Sequence, residues 1–147
     1  VSSGGMYSER LDPDTIEMTA DDFDGVAAYA RAKRGQVALV SQWARREADS
    51  GVVFHAMHPG WADTPGVAES LPVFRKVVGP LLRTPEQGAD TIVWLASAPE
   101  PLTSNGDFWL DRRRRSTVRL PWTATAPEVG DQLWDQVTRQ IAESDSA

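Results

Sequence analysis

The stretch Tyr29-Ala30-Arg31-Ala32-Lys33, with Val1-Ser2-Ser3-Gly4-Gly5 upstream of it, decides how the rest of the chain is read. A tyrosine and a lysine four apart lie on one face of a helix, one turn from each other. A free tyrosine hydroxyl titrates near 10. An ammonium one turn away favours the phenolate, and that makes such a tyrosine a usable acid/base. A nearby serine hydroxyl could hold a substrate oxygen by a hydrogen bond. Tyr-x-x-x-Lys alone is common on surface helices, so the surrounding residues decide its meaning.

Those residues predict a helix of about 25 residues starting near Asp22. Val26, Ala30, Lys33, Val37, Val40 and Ala44 recur at steps of three and four, and no proline interrupts before Pro59. Asp21 or Asp22 is the expected cap, Arg45 and Arg46 complement the dipole in the last turns, and Ser50-Gly51 ends the helix. Upstream, residues 6–21 are mostly polar, with a turn expected at Asp12-Pro13-Asp14.

Gly51 to Met57 (GVVFHAM) is a short apolar run bounded by glycine and by His58-Pro59-Gly60, which predicts a buried parallel strand. His55 and His58 are three apart and would point to opposite faces of it, as core or hydrogen-bonded histidines rather than metal ligands. The loop Pro59-Gly60-Trp61-Ala62-Asp63-Thr64-Pro65-Gly66 follows directly. Read alone it is a tight turn, yet its place beyond a strand's carboxyl end is where ligands bind in open α/β sheets. Residues 67–83 suggest one or two short helices over the site, a segment suited to a substrate lid. Thr84-Pro85-Glu86-Gln87 is a capped helix start, with Ala89, Ile92, Val93 and Ala96 as its expected buried stripe. Asp107 to Asp111 is the expected final strand. Arg112 to Arg115 could meet a phosphate or an acidic partner, but reads better as a solvated edge that discourages strand pairing. A last helix is expected over about residues 126–143, with Val129, Leu133, Trp134, Val137 and Ile141 on one face.

The 147 residues fit one domain, and 41% hydrophobic with 24% charged residues is ordinary for a globular chain. A net charge of −6 weighs against nucleic acid or anionic membrane as general partners. Without cysteine there are no disulfides or thiolate metal sites, which suits a reducing compartment. No apolar run is long enough for a membrane span and no signal peptide is visible, so a soluble cytoplasmic protein is expected.

Three features stand in order: Ser-Ser-Gly-Gly at a strand end, Tyr-x-x-x-Lys on the next helix, and Pro-Gly-x-x-x-Thr after the next strand. Together they resemble the second half of the short-chain dehydrogenase/reductase superfamily. Ser2 to Met6, Phe23-Asp24-Gly25, Met57 to Val67, Gln87 to Thr91 and Ser116-Thr117 resemble its member 12 branch, so the likeness covers nearly the whole chain. The resemblance implies an α/β fold: the C-terminal half of a Rossmann-like doubly wound parallel sheet, about three strands with flanking helices, the N-terminal dinucleotide-binding half being absent. It implies Tyr29 as catalytic acid/base, Lys33 as the residue tuning it and binding the nicotinamide ribose, and Ser3 as the substrate-orienting hydroxyl, preferred to Ser2. Pro59, Gly60, Trp61, Ala62 and Thr64 would lie against the nicotinamide and its phosphates. The implied reaction is hydride transfer between NAD or NADP and a carbonyl/alcohol substrate, with a homodimer formed through the long helix.

The sequence departs from the family pattern in several places. It has no Gly-x-x-x-Gly-x-Gly turn, no residue that selects NAD over NADP, and no asparagine of the catalytic group. Ser3 and Tyr29 are 26 positions apart, more than is usual in the family, which places an insertion near the substrate. The chain is therefore expected to begin in the middle of a fold and to be weak or inactive alone. Two further readings stay open: a non-catalytic interaction module derived from such a fragment, and epimerase or dehydratase chemistry on the same fold. Trp61, Leu71, Val73 and Phe74 hint at an apolar substrate pocket.

Overall fold

A parallel pair of short strands forms the centre of the molecule. The computed structural model describes residues 1–63 and 82–146. Strand β1 (Ala56–Met57) lies parallel to β2 (Phe108–Leu110), with Ala56 opposite Phe108 and Met57 opposite Trp109. Successive side chains on a strand point to opposite faces. Ala56 and Phe108 therefore share one face, where they pack with Met6 and Val37 as the core. Trp109 faces the other way, against Trp94 at 5.2 Å and His55 at 5.5 Å between ring centroids.

Helix α1 (Gly25–Arg46) covers the first face and α2 (Pro85–Ser97), which carries Trp94, covers the second, giving an α/β fold in three layers. The regular part of β1 is shorter than Gly51–Met57. Phe54 bonds instead to the turn at Asn105-Gly106: its N–H donates to Asn105 Oδ1 and its carbonyl accepts from Gly106 N. The cap of α1 is Asp24, not Asp21 or Asp22; its carboxylate accepts from the N–H groups of Val26 and Ala27, and those bonds hold its pKa down. Asp22 instead accepts from the Thr19 hydroxyl.

The third strand differs from the all-parallel expectation. It is β3 (Arg113–Arg114), antiparallel to β2, with Leu110 opposite Arg113. Asp111 and Arg112 both have positive φ, 55° and 54°, the two-residue turn whose twist suits a hairpin. Within the arginine run Arg112 forms a two-point contact with Asp90 and Arg114 reaches Asp107 at 3.0 Å, while all four residues stay exposed. The stripe of α2 is also rotated from Ala89/Ile92/Val93/Ala96. Gly88 and Thr91 are the buried residues, Ile92 and Val93 are exposed, and Thr91 Oγ1 accepts from Arg112 N. Contact with the hairpin and the Trp94–Trp109 pair, rather than the aliphatic positions, orients this helix. Its start follows the sequence closely, with a reciprocal Thr84/Gln87 capping box.

Helix α3 (Pro127–Ser144) packs along α1, burying Leu133, while Ile141 stays exposed. Trp43 and Trp134 meet edge to face at 5.9 Å, and Arg45 and Arg46 both pair with Asp131 across the two helices. Arg34 is the main fastener. It is buried, and its guanidinium donates to the carbonyls of Thr117 and Thr123, with no carboxylate partner among the described residues. Thr123 is itself fully buried. No helix among the described residues is long and apolar enough to cross a membrane.

Removing Arg34 would take its donor from the Thr117 carbonyl and leave the Thr123 carbonyl with only the Thr125 hydroxyl at 3.4 Å. Hydrogen bonds from a charged group contribute roughly 1.5–3 kcal/mol each, so Arg34→Ala is expected to lower the unfolding free energy by about 3 kcal/mol in urea titrations. Arg34→Lys should recover less than half, since one ammonium cannot reproduce the planar fork. A loss below about 0.5 kcal/mol would show that the 117–125 segment is held by other contacts.

Candidate functional site

The carboxyl ends of β1 and β2 open onto a cleft of about 570 Å³, bordered by His58, Gly60 and Trp61 after β1 and by Leu110 at the end of β2. The N-terminal turn Gly4–Ser8 closes one side of it. Ser3 caps this turn, its Oγ accepting from Gly5 N at 3.3 Å. The space beside Gly4 is tight, whereas that beside Gly5 would take a methyl group at ordinary contact distances. A Cβ on Gly4 would stand 3.0 Å from His58 Nε2; one on Gly5 would stand 3.8 Å from both Ser3 Oγ and the Tyr29 ring. The turn is therefore a thin partition. His58 and the cleft are on one side, and Ser3 and Tyr29 on the other.

Tyr29 is 52% exposed on the second turn of α1, and Lys33 Nζ lies 5.6 Å from its ring centroid. Two of the three ammonium protons of Lys33 are directed at Val1 O (3.3 Å) and Gln36 Oε1 (3.1 Å). Ser2, by contrast, is buried, and its hydroxyl donates to the Lys33 carbonyl at 2.9 Å. Ser3, Tyr29 and Lys33 thus gather at one end of α1, next to the cleft but not among its lining residues.

The loop after β1 is clamped by a residue that sequence reasoning did not single out. Arg83 bonds to both carboxylate oxygens of Asp111 (2.5 and 3.0 Å) and to Pro59 O (3.3 Å). Its backbone pairs with Trp61 and Asp63, beside Ala62. Gly60 has φ +79°, and a Cβ there would fall 2.6 Å from the Arg83 guanidinium. The hydrogen bonds from Arg83 hold the Asp111 carboxyl below its ordinary range. Ala62 is buried against Gly88 of α2, and Trp61 is partly exposed. Thr64, Leu71, Val73, Phe74 and the lid expected over most of 67–83 fall outside the described residues.

His58 is buried, and its Nδ1 accepts from Gly60 N at 3.3 Å, so the neutral ring carries its proton on Nε2. Burial depresses its pKa, and the charges of Arg83 and Arg119 push it in the same direction, against Asp111. The two histidines do face opposite ways as hydrogen-bonded groups: His55 Nε2 meets Pro101 O at 2.9 Å on the Trp109 side. Arg83, Arg119 and Tyr7 carried no motif; they meet only through the fold, 28 residues separating Arg83 from Asp111.

Comparison with known proteins supplies the family. The chain is 43% identical over 135 residues to dehydrogenase/reductase SDR family member 12 of Bos taurus, covering 90% of this chain and 42% of that protein. It is 38% identical over 145 residues to the Homo sapiens protein of the same name, covering 98% and 45%. An oxidoreductase of Penicillium decumbens, calI, is 34% identical over 122 residues, covering 76% and 35%. The chain thus spans less than half the length of these relatives. No family model matches it.

Two expectations follow from the clamp and the histidine. Gly60→Ala combines a left-handed backbone with a collision on Arg83, and should destabilise by about 1–3 kcal/mol in urea melts; an unchanged midpoint would mean that the loop is not clamped as described. His58 is held neutral when folded, whereas the unfolded chain takes up a proton as pH falls through about 6.5. Below that pH the unfolded state binds more protons, so stability is present above it and is lost as pH falls. The urea midpoint is expected to drop between pH 7.5 and about 5, and His58→Asn to flatten that slope. An identical slope in the variant would assign it to other groups.

Proposed function

The chain belongs to the short-chain dehydrogenase/reductase superfamily, and from that premise we propose that it carries the proton-handling, nicotinamide-facing part of an NAD(P)-dependent oxidoreductase acting on a carbonyl/alcohol pair. The observation that supports this reading is that Ser3 and Tyr29 both approach Gly5 and Lys33 lies 5.6 Å from the Tyr29 ring centroid, one thin turn away from the Pro59–Ala62 loop. When bound, the dinucleotide supplies or accepts the hydride. Tyr29 Oη hands over or takes up the proton on the substrate oxygen, which Ser3 Oγ orients. Lys33, whose ammonium also donates to Val1 O and Gln36 Oε1, would hold a ribose hydroxyl.

The residues fit the nicotinamide half of such a cofactor: an exposed hydroxyl, a neighbouring ammonium, and loop backbone beyond a parallel strand. For the pyrophosphate the sequence offers no glycine-rich turn opening a helix. We therefore assign the adenosine side to residues outside this chain and expect the chain alone to bind weakly. A second reading, an interaction module or a homodimer through α1, is favoured by Phe23 and Val26, which are 66% and 74% exposed near the start of that helix.

Titrating the 147-residue chain with NADPH and NADH, read by tryptophan and nicotinamide fluorescence, should give a Kd weaker than roughly 100 μM, about −5.5 kcal/mol. A tighter value would overturn this division of the site. Expressed together with the upstream glycine-rich half that the family resemblance implies, the chain should support NAD(P)-linked carbonyl reduction. Tyr29→Phe should then lower kcat by at least about 100-fold while cofactor affinity stays within about threefold. Full turnover by that variant would refute the role of Tyr29, and sedimentation as a dimer without cofactor binding would favour the second reading.

A further inference from the structure

We propose that the cleft beyond β1 and β2 binds the anionic head group of the substrate, a carboxylate or phosphate ester with an apolar body, and that Arg119 is its counter-ion. The cleft is lined by nine described residues; two are arginines, one is a histidine and none is acidic, in a chain whose net charge is −6. Its volume of about 570 Å³ falls within the usual range of small-molecule sites. The two arginines differ. Arg83 is neutralised by its two-point contact with Asp111, whereas Arg119 has no ion pair among the described residues.

Arg119 is also positioned rather than free. Its guanidinium lies 4.6 Å from the centroid of the Tyr7 ring. That ring is itself fixed: the Tyr7 hydroxyl donates to Ser116 O at 2.8 Å, and its edge meets the core residue Phe108 at 6.2 Å. A cation stacked on an anchored aromatic keeps its hydrogen-bonding edge available and loses little freedom on meeting an anion. Leu110, Leu120 and Trp61 supply the apolar walls for the rest of the ligand. The cleft borders the Gly4-Gly5 turn, whose other side carries Ser3 and Tyr29. The assignment of the ligand as substrate rests on the oxidoreductase reading above; the preference for an anion does not.

The test compares matched probes on the full 147-residue chain by calorimetry at fixed low salt: 3-phenylpropionate, 2-phenylethyl phosphate and the neutral 3-phenylpropanamide. At least one of the two anions should bind roughly tenfold more tightly than the amide, and the tighter of them identifies the head group. Arg119→Gln should abolish the difference, Arg119→Lys should keep most of it, and Arg113→Gln, an equal change of charge on β3, should leave it intact. Equal binding of anions and amide, binding of none, or a preference that survives Arg119→Gln would overturn the proposal. Loss of 3-phenylpropionate binding when NADH is added would also overturn it, by giving the cleft to the cofactor. An anion preference that persists where NAD(P) binding and turnover both fail would leave the anion site standing and remove the oxidoreductase reading alone.

Discussion

The two-residue parallel pairing of Ala56–Met57 with Phe108–Leu110 is the constraint on which the other arrangements depend. Parallel strands send their carboxyl ends the same way, so the loop after Met57 and the hairpin after Leu110 emerge side by side. That adjacency allows Arg83 to join Pro59 to Asp111 and places His58 and Leu110 on one cleft. The register also separates the faces. With Ala56 opposite Phe108, α1 receives the aliphatic core; with Met57 opposite Trp109, α2 receives the aromatic side. Shifting the register by one residue would exchange the faces and expose Phe108 to the helix that now meets Trp109.

Such a short ladder offers little cohesion by itself, and guanidinium groups join the elements around it. Arg34 ties α1 to the 117–125 segment through carbonyls, Arg45 and Arg46 tie α1 to α3, Arg83 ties the site loop to the hairpin, and Arg112 ties the hairpin to α2. These contacts are not equal. The ion pairs of Arg45 and Arg112 are substantially exposed, and exposed pairs contribute about 0–1 kcal/mol. Arg34 is buried, and removing it would strand desolvated acceptors, so its effect is of a different order.

Local signals were legible in the sequence; orientations were not. The capping box at Thr84 and Gln87, the helix containing Tyr29 and Lys33, the final strand and the opposite-facing histidines follow from chemistry within a few residues of each position. The hairpin was hidden because Asp111 and Arg112 adopt positive φ without the glycine that usually announces such a turn. The four arginines are exposed, as a solvated edge requires, but Arg112 and Arg114 also meet Asp90 and Asp107, which lie elsewhere in the chain. The stripe of α2 was misread for a related reason: periodicity reports where apolar residues recur, while Trp94 on Trp109 and Thr91 on Arg112 decide which side turns inward. In the candidate site Ser3, Tyr29, Lys33 and the Pro59–Ala62 loop carried recognisable spacing. Arg83 and Arg119 carried none, because their neighbours are brought to them only by the sheet.

The partition formed by Gly4 and Gly5 relates the two halves of the site physically. His58 approaches Gly4 closely from the cleft, while Ser3, which caps the turn, and Tyr29 of α1 lie at ordinary contact distance from the Gly5 position. A larger residue at Gly4 would have to displace a histidine ring whose Nδ1 is already tied to Gly60, and the disturbance would pass to the loop clamped by Arg83. The hydroxyl groups and the cationic cleft are thus coupled through backbone that has no side chain to absorb a shift.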